Sequence, residues 1–247
     1  MPTGSGALTW GDAPRRSFEP IGVPEPLGTL LPEGLRRGEA LMLSGDAGAG
    51  LTTVDYLTLA LLAGALRQGL WCAAVGVRGL GGAALAGLVG DAAVGEGALQ
   101  RLLVVARPGE RWAEIAAVLA DGVDVVLLAP PGPVPERVAR RVDARLRQGA
   151  GDEARHRAAL LVLGAWPGAR TTLRVRRLGW SGFGDGVGHL IGGRALIGAE
   201  DRARRVRTVQ VDLPGGLGVS APLSGQAESE REREREESAM PRLTAVA

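Results

Sequence analysis

The stretch Gly45-Asp46-Ala47-Gly48-Ala49-Gly50-Leu51-Thr52-Thr53 decides how this chain is read. Its spacing is that of the phosphate-cradling loop G-x-x-x-x-G-K-[ST], with Leu51 standing where the lysine belongs. Just before it, Glu39-Ala40-Leu41-Met42-Leu43-Ser44 is a short apolar run and reads as a buried strand. Just after it, Thr52 to Arg67 is rich in alanine and leucine and reads as a buried helix. In such a loop the glycines let backbone N–H groups converge on phosphate oxygens. The helix N-terminus adds partial positive charge, and the lysine bridges the β- and γ-phosphates. Gly45, Gly48 and Gly50 keep the cradle, Thr52 keeps the hydroxyl that would hold Mg²⁺, and Thr53 follows it. The cation is gone. A plain tight turn between strand and helix is the alternative in a chain with 39 glycines.

No lysine occurs anywhere in the 247 residues: all 29 basic side chains are arginine. Schiff-base chemistry, a lysine general base and an ordinary phosphate-loop lysine are therefore excluded for this chain. One cysteine, Cys72, excludes an internal disulfide and a cysteine-based zinc site. His156 and His189 are too far apart in sequence for the helix-borne His-x-x-x-His pattern, so no metal site is expected. The first residues lack a signal-peptide layout and no apolar run nears the ~20 residues of a membrane span. The expectation is a cytoplasmic protein without membrane contact.

The other parts of a hydrolytic site are also missing from their places. A magnesium-holding aspartate normally ends an apolar strand, but Val125-Val126-Leu127-Leu128 runs into Ala129-Pro130-Pro131. Asp124 stands at the start of that strand, the end remote from the loop. A glutamate that polarises water is expected just past the second strand, Leu70 to Val75, where the chain reads Gly76-Val77-Arg78. Each such group stabilises charge on phosphate, metal or water, and losing one commonly costs a few kcal/mol of transition-state stabilisation. The expectation is a chain with no catalytic residue, no enzymatic activity and no cofactor beyond weak residual ATP binding.

Strand-like and helix-like periods alternate along the folded part. Further strands are expected at 102–105, 123–128 and 158–163, with helices at 80–88, 110–120 and 134–148. Continuous apolar strands alternating with helices predict a mostly parallel sheet covered on both faces. Thr172–Arg177 and Arg205–Asp212 alternate apolar with polar residues and read as an antiparallel pair closing one edge. Residues 1–28 hold five prolines and read as an arm, 29–216 as the core domain, and 217–247, with its Glu-Arg alternation, as a disordered charged tail.

The net charge of +2 conceals a segregation. Residues 170–207 carry nine arginines against three acids, whereas 208–247 carry four against seven. A basic block of this kind suits a polyanion or an acidic partner, unless it is only a solvated face. Within it, Arg174, Arg176 and Arg177 precede Trp180 and Phe183 in a glycine-rich stretch. Aromatics beside arginines can stack on unpaired bases, anchor a protein partner, or simply pack on their own sheet. Arg202, Arg204, Arg205 and Arg207 read as a solvated hairpin that could follow a phosphate backbone. Trp166, after the fifth strand, reads as a space-filler.

Leu31-Pro32-Glu33-Gly34-Leu35-Arg36-Arg37-Gly38-Glu39, the Gly45–Thr53 loop and Gly122 to Leu128 together resemble the RecA-type ATPase core, over about residues 29–212. That resemblance implies a RecA-like P-loop NTPase core: a mostly parallel α/β sheet with helices on both faces and antiparallel edge strands. A short, lysine-free chain with a degraded site, carrying Gly179-Trp180-Ser181-Gly182-Phe183-Gly184, is similar to the actinobacterial ImuA-type proteins. This likeness implies a catalytically inactive accessory of DNA-damage-induced mutagenesis (translesion synthesis, within the SOS response), nucleoid-associated when active. The partners it implies are an ImuB-type Y-family polymerase homologue, an error-prone C-family polymerase and single-stranded DNA. Two other readings stand beside it. One is a DNA-stimulated ATPase with a non-standard loop, and the other a damage-response regulator such as a division inhibitor.

Overall fold

The computed structural model describes residues 19–45, 50–90, 92–148, 157–184, 187–203 and 205–213, with 50–55, 92–94, 96, 177–184, 187–193 and 212–213 given by their backbone. Along the chain, α1 (Leu27–Leu30) leads to β1 (Ala40–Gly45), α2 (Gly50–Arg67), β2 (Cys72–Val75), α3 (Gly82–Val89), α4 (Ala92–Leu99) and β3 (Leu102–Val105). Then come α5 (Trp112–Ala120), β4 (Val125–Leu128), α6 (Glu136–Gln148), β5 (Ala159–Leu163), β6 (Thr171–Gly184), β7 (Val187–Asp201) and β8 (Val206–Leu213). All eight strands form one sheet in the order β3-β2-β4-β5-β1-β6-β7-β8. The six from β3 to β6 are parallel, and β7 and β8 add antiparallel to β6 and to each other.

The unbroken apolar strands exist because each serves two cores. Val125 and Leu127 of β4 enter the cluster under α1 to α4, while Val126 and Leu128 enter the cluster under α5 and α6. In the same way Cys72 and Ala74 of β2 face one side, Ala73 and Val75 the other. This is the alternation of a pleated strand covered on both faces. The added strands β6 to β8 bury one face only, through Leu173, Val175, Ala195, Ile197, Val209 and Val211 on the side of α1 to α4. Most of their alternate residues are polar or glycine, Leu196 and Val206 being the apolar exceptions, as suits a half-covered antiparallel sheet.

Three expectations are corrected and one helix is added. The closing pair is a trio: β7 stands between the two strands read from the sequence. Its glycines at 188, 192, 193 and 198 mask the strand pattern, because glycine in a local reading signals a turn. The glycine-rich stretch of Trp180 and Phe183 is not a loop but the far half of β6, with Trp180 opposite Gly193 and Phe183 opposite Gly188. The helix expected at 80–88 is α3, and a further helix absent from the sequence reading, α4, packs on it where a Cβ on Gly95 would lie 2.6 Å from the Ala86 carbonyl oxygen. Finally, residues 19–28, read as part of an arm, pack on the domain: Ile21 bridges Leu35, and Ile21, Leu27 and Leu30 are buried. Residues 1–18 of the arm and the whole of the tail at 217–247 lie outside the described residues.

Candidate phosphate-loop edge and basic cleft

The carboxyl ends of β1, β2, β4 and β5 form the edge where open α/β sheets bind ligands. Gly45 ends β1 and Gly50 opens α2, so the loop joins strand to helix as its spacing demands. Gly48 lies outside the described residues, and Thr52 and Thr53 are given only as backbone in the first turn of α2. Two buried polar atoms flank the loop, Ser44 Oγ on β1 and Tyr56 Oη on α2. Neither has a hydrogen-bond partner among the described residues. Burial raises the Tyr56 phenol above its ordinary range.

Beyond the loop the edge is built of backbone and apolar bulk. Gly76, at the end of β2, has φ +75°, and a Cβ placed there would lie 2.3 Å from the Ala129 carbonyl oxygen. A glutamate at that position has no room. The Ala129 N–H donates to the Val75 carbonyl at 2.8 Å, which draws the end of β4 against β2. Trp166 is 4% exposed. Its indole Nε1–H donates to Asp143 Oδ1 at 3.0 Å, and its ring meets Trp112 edge to face at 6.5 Å. The indole fills the corner where β5 meets α6. Burial lifts the Asp143 carboxyl above its ordinary range, against the opposing pull of the Trp166 N–H, Arg147 and Arg202.

Asp124 sits at the amino end of β4, facing away from the loop. Its Oδ1 accepts from Arg37 Nη1 at 2.9 Å and its Oδ2 from the Trp71 backbone N–H at 2.9 Å. The aspartate and the arginine of the Leu31–Glu39 lead-in thus lock together under the sheet.

The structure divides the sequence-predicted basic residues between opposite edges. Arg174 pairs in register with Ser44 at the carboxyl end of β1, beside the phosphate loop. Arg176 follows and lies over Gly198, where a Cβ would be 2.7 Å from its Nε. Beyond them β6 continues past the end of β1 with Arg177, Trp180 and Phe183, paired there only to β7. Over the nine residues beyond Val175, as far as Gly184, that ribbon reaches about 30 Å. Arg202, Arg205 and Arg207 lie instead at the turn between β7 and β8, at the amino edge, where Asp201 is opposite Thr171. Arg204 lies outside the described residues.

There the arginines line a cleft of about 430 Å³ together with Arg36, Arg170, Glu33, Glu39 and Asp201. A second opening of about 240 Å³ shares Arg170 and Arg202 and adds Arg147 and Arg157. The sequence does not link Arg36 or Arg170 to the hairpin, since only strand pairing brings the lead-in and the hairpin together. Among the described residues no three His, Cys, Asp or Glu side chains converge as a metal site, and no helix is long and apolar enough to cross a membrane.

An eight-stranded, mostly parallel sheet with a strand–glycine loop–helix unit at its centre defines a RecA-like α/β protein. The crystal structure of the RadB recombinase superposes with a TM-score of 0.52 at 14% identity, covering 78% of this chain and 96% of that one. At that identity the likeness speaks to the fold. A model of the MT3502 N-terminal domain family matches residues 29–168, more than half of the chain, so the protein belongs to that family. No curated protein matches the sequence.

Proposed function

We propose that this protein is a RecA-fold accessory of DNA-damage-induced mutagenesis that performs no hydrolysis and works as an adaptor. Its partners on this reading are an ImuB-type Y-family polymerase homologue and an error-prone C-family polymerase, with single-stranded DNA as a further ligand. The observation that carries the reading is the make-up of the sheet's carboxyl edge. The place of the glutamate is Gly76, closed against the Ala129 carbonyl, and the place of the metal aspartate is Ala129-Pro130-Pro131. With Leu51 for lysine, the phosphate-bridging cation, the metal aspartate and the water-polarising glutamate are all missing, and the Thr52 hydroxyl alone is kept. Weak ATP binding through the Gly45–Thr53 loop is compatible with this role; turnover is not.

The test is phosphate release by purified protein with ATP, magnesium and single-stranded DNA, with Thr52→Ala as control, beside capture of partners from DNA-damaged cells. Recovery of both polymerase-type proteins with no Thr52-dependent turnover is the expected result. One observation favours a second reading, a DNA-stimulated ATPase: Arg174 stands in register with Ser44, next to the loop. In that case turnover would be measurable and Arg174→Ala would abolish it.

A further inference from the structure

We infer that the cleft at the amino edge of the sheet binds the phosphodiester backbone of a single-stranded nucleic acid, as a site separate from the phosphate loop. The inference deepens the accessory reading and rests on it for the identity of the polyanion. Its basis is an imbalance of charge. Across the main cleft and the adjoining opening, seven arginines face four carboxylates, leaving aside Arg37, which is locked to Asp124. Each of those carboxylates is already engaged. Glu33 pairs with Arg36, Glu39 with Arg170 at 3.1 Å, Asp143 accepts from Trp166, and Asp201 accepts the Arg205 backbone N–H at 3.0 Å. The guanidinium groups of Arg205 and Arg207 have no partner among the described residues. Arg202 spends one nitrogen on the Gly168 carbonyl at 2.5 Å.

The charge is spread over both openings, which share Glu39, Arg170 and Arg202 in their walls. A row of guanidiniums matches phosphates spaced along a chain, each able to take a two-pronged pair of hydrogen bonds. No aromatic side chain lines the main cleft, and its apolar wall is Leu30, Leu31, Pro32 and two alanines. A protein partner would find no aromatic anchor there, and bases no aromatic ring to stack on. Backbone contact without sequence preference is what this lining supports. A cleft of about 430 Å³ has the volume for a short stretch of one strand and not for a turn of duplex. The six residues of β1 separate it from the phosphate loop by about 20 Å. Nucleotide at the loop therefore leaves it open.

The experiment is fluorescence anisotropy of a labelled oligo-dT with the full chain, over a salt series beginning near 50 mM. Arg205→Ala/Arg207→Ala is expected to weaken binding about tenfold or more at low salt. It should also cut the log–log salt slope by about 1.4, at about 0.7 for each phosphate that no longer meets an arginine. Arg205→Lys/Arg207→Lys, which keeps the charges, should retain the slope, and added ATP should leave the affinity unchanged. Absence of oligo-dT binding by the unaltered protein would overturn the inference. So would an unchanged slope in the alanine variant, or a loss confined to Arg174→Ala/Arg176→Ala. Polyglutamate competing as well as oligo-dT would overturn it in favour of an acidic protein. If the alanine variant still captures polymerase-type partners from damaged cells, the accessory reading stands whatever becomes of the cleft.

Discussion

Arg37 Nη1 lies 2.9 Å from Asp124 Oδ1, and both side chains are buried beneath the amino edge of the sheet. Neither charge depends on the other alone. Arg37 also donates to the Arg157 carbonyl from Nη1 and to the Glu19 carbonyl from Nε, both at 3.1 Å, and Asp124 also accepts the Trp71 N–H. The pair ties the lead-in segment, β4 and the start of β2 into one unit. Asp124→Ala leaves a buried guanidinium without its counter-charge, a change that costs about 3–5 kcal/mol. The urea midpoint should fall accordingly while ATP binding at the distant loop stays as it was. A midpoint within error of the parent's would show that the pair does not hold the edge together.

Restoring the absent glutamate should damage the fold without creating an enzyme. Gly76→Glu forces a side chain into the left-handed region at φ +75° and sets its Cβ against the Ala129 oxygen. Strain and overpacking each cost about 1–3 kcal/mol. A lowered thermal midpoint with no phosphate release is the expected outcome. A stable variant that hydrolyses ATP would mean that this edge retains more of a catalytic site than its packing implies.

Much of this architecture is legible from local pattern. Val125 to Leu128 and Ala159 to Leu163 read as strands because continuous apolar runs of that length suit a doubly covered sheet. The helix expected at 134–148 is α6, which buries Ala139, Val142 and Leu146, while Val138, and Val134 just ahead of it, are only partly buried. The elements that local pattern hides are those where glycine interrupts the period, namely β7 and α4. In β7 the sheet neighbours on both sides supply the order that local propensity does not. The candidate site is legible on one edge only. Leu51, Gly76 and Ala129 reveal their deficits by type and position. Arg36, Arg170 and Arg202 converge through the pairing of β1, β6 and β7, a long-range relation that no spacing encodes.

Returning the missing cation should separate binding from chemistry. Leu51→Lys restores the group that bridges the β- and γ-phosphates at the head of α2. ATP affinity is expected to rise about tenfold or more, a gain of about 1.4 kcal/mol or more, as read by a fluorescent analogue. Phosphate release should stay at background, since Ala129 and Gly76 still occupy the metal and base positions. Turnover at an ordinary rate in this single variant would locate the whole deficit at Leu51.

Asp143 links chemistry to stability through Trp166. Desolvation raises its carboxyl above the unfolded value, so between the two values the folded state holds more protons than the unfolded one. Stability therefore falls as pH rises through that window, and the full penalty applies above the raised value. Asp143→Asn keeps an acceptor for the indole and removes the charge. It should stabilise the protein at neutral pH, and the gain should shrink on acidification toward the ordinary carboxylate range. Asp143→Leu removes the acceptor as well and leaves a buried Nε1–H unsatisfied, which costs about 1–3 kcal/mol. Urea midpoints of the three proteins across acid to neutral pH would check this. An asparagine variant whose advantage grows on acidification would contradict the sign argued here.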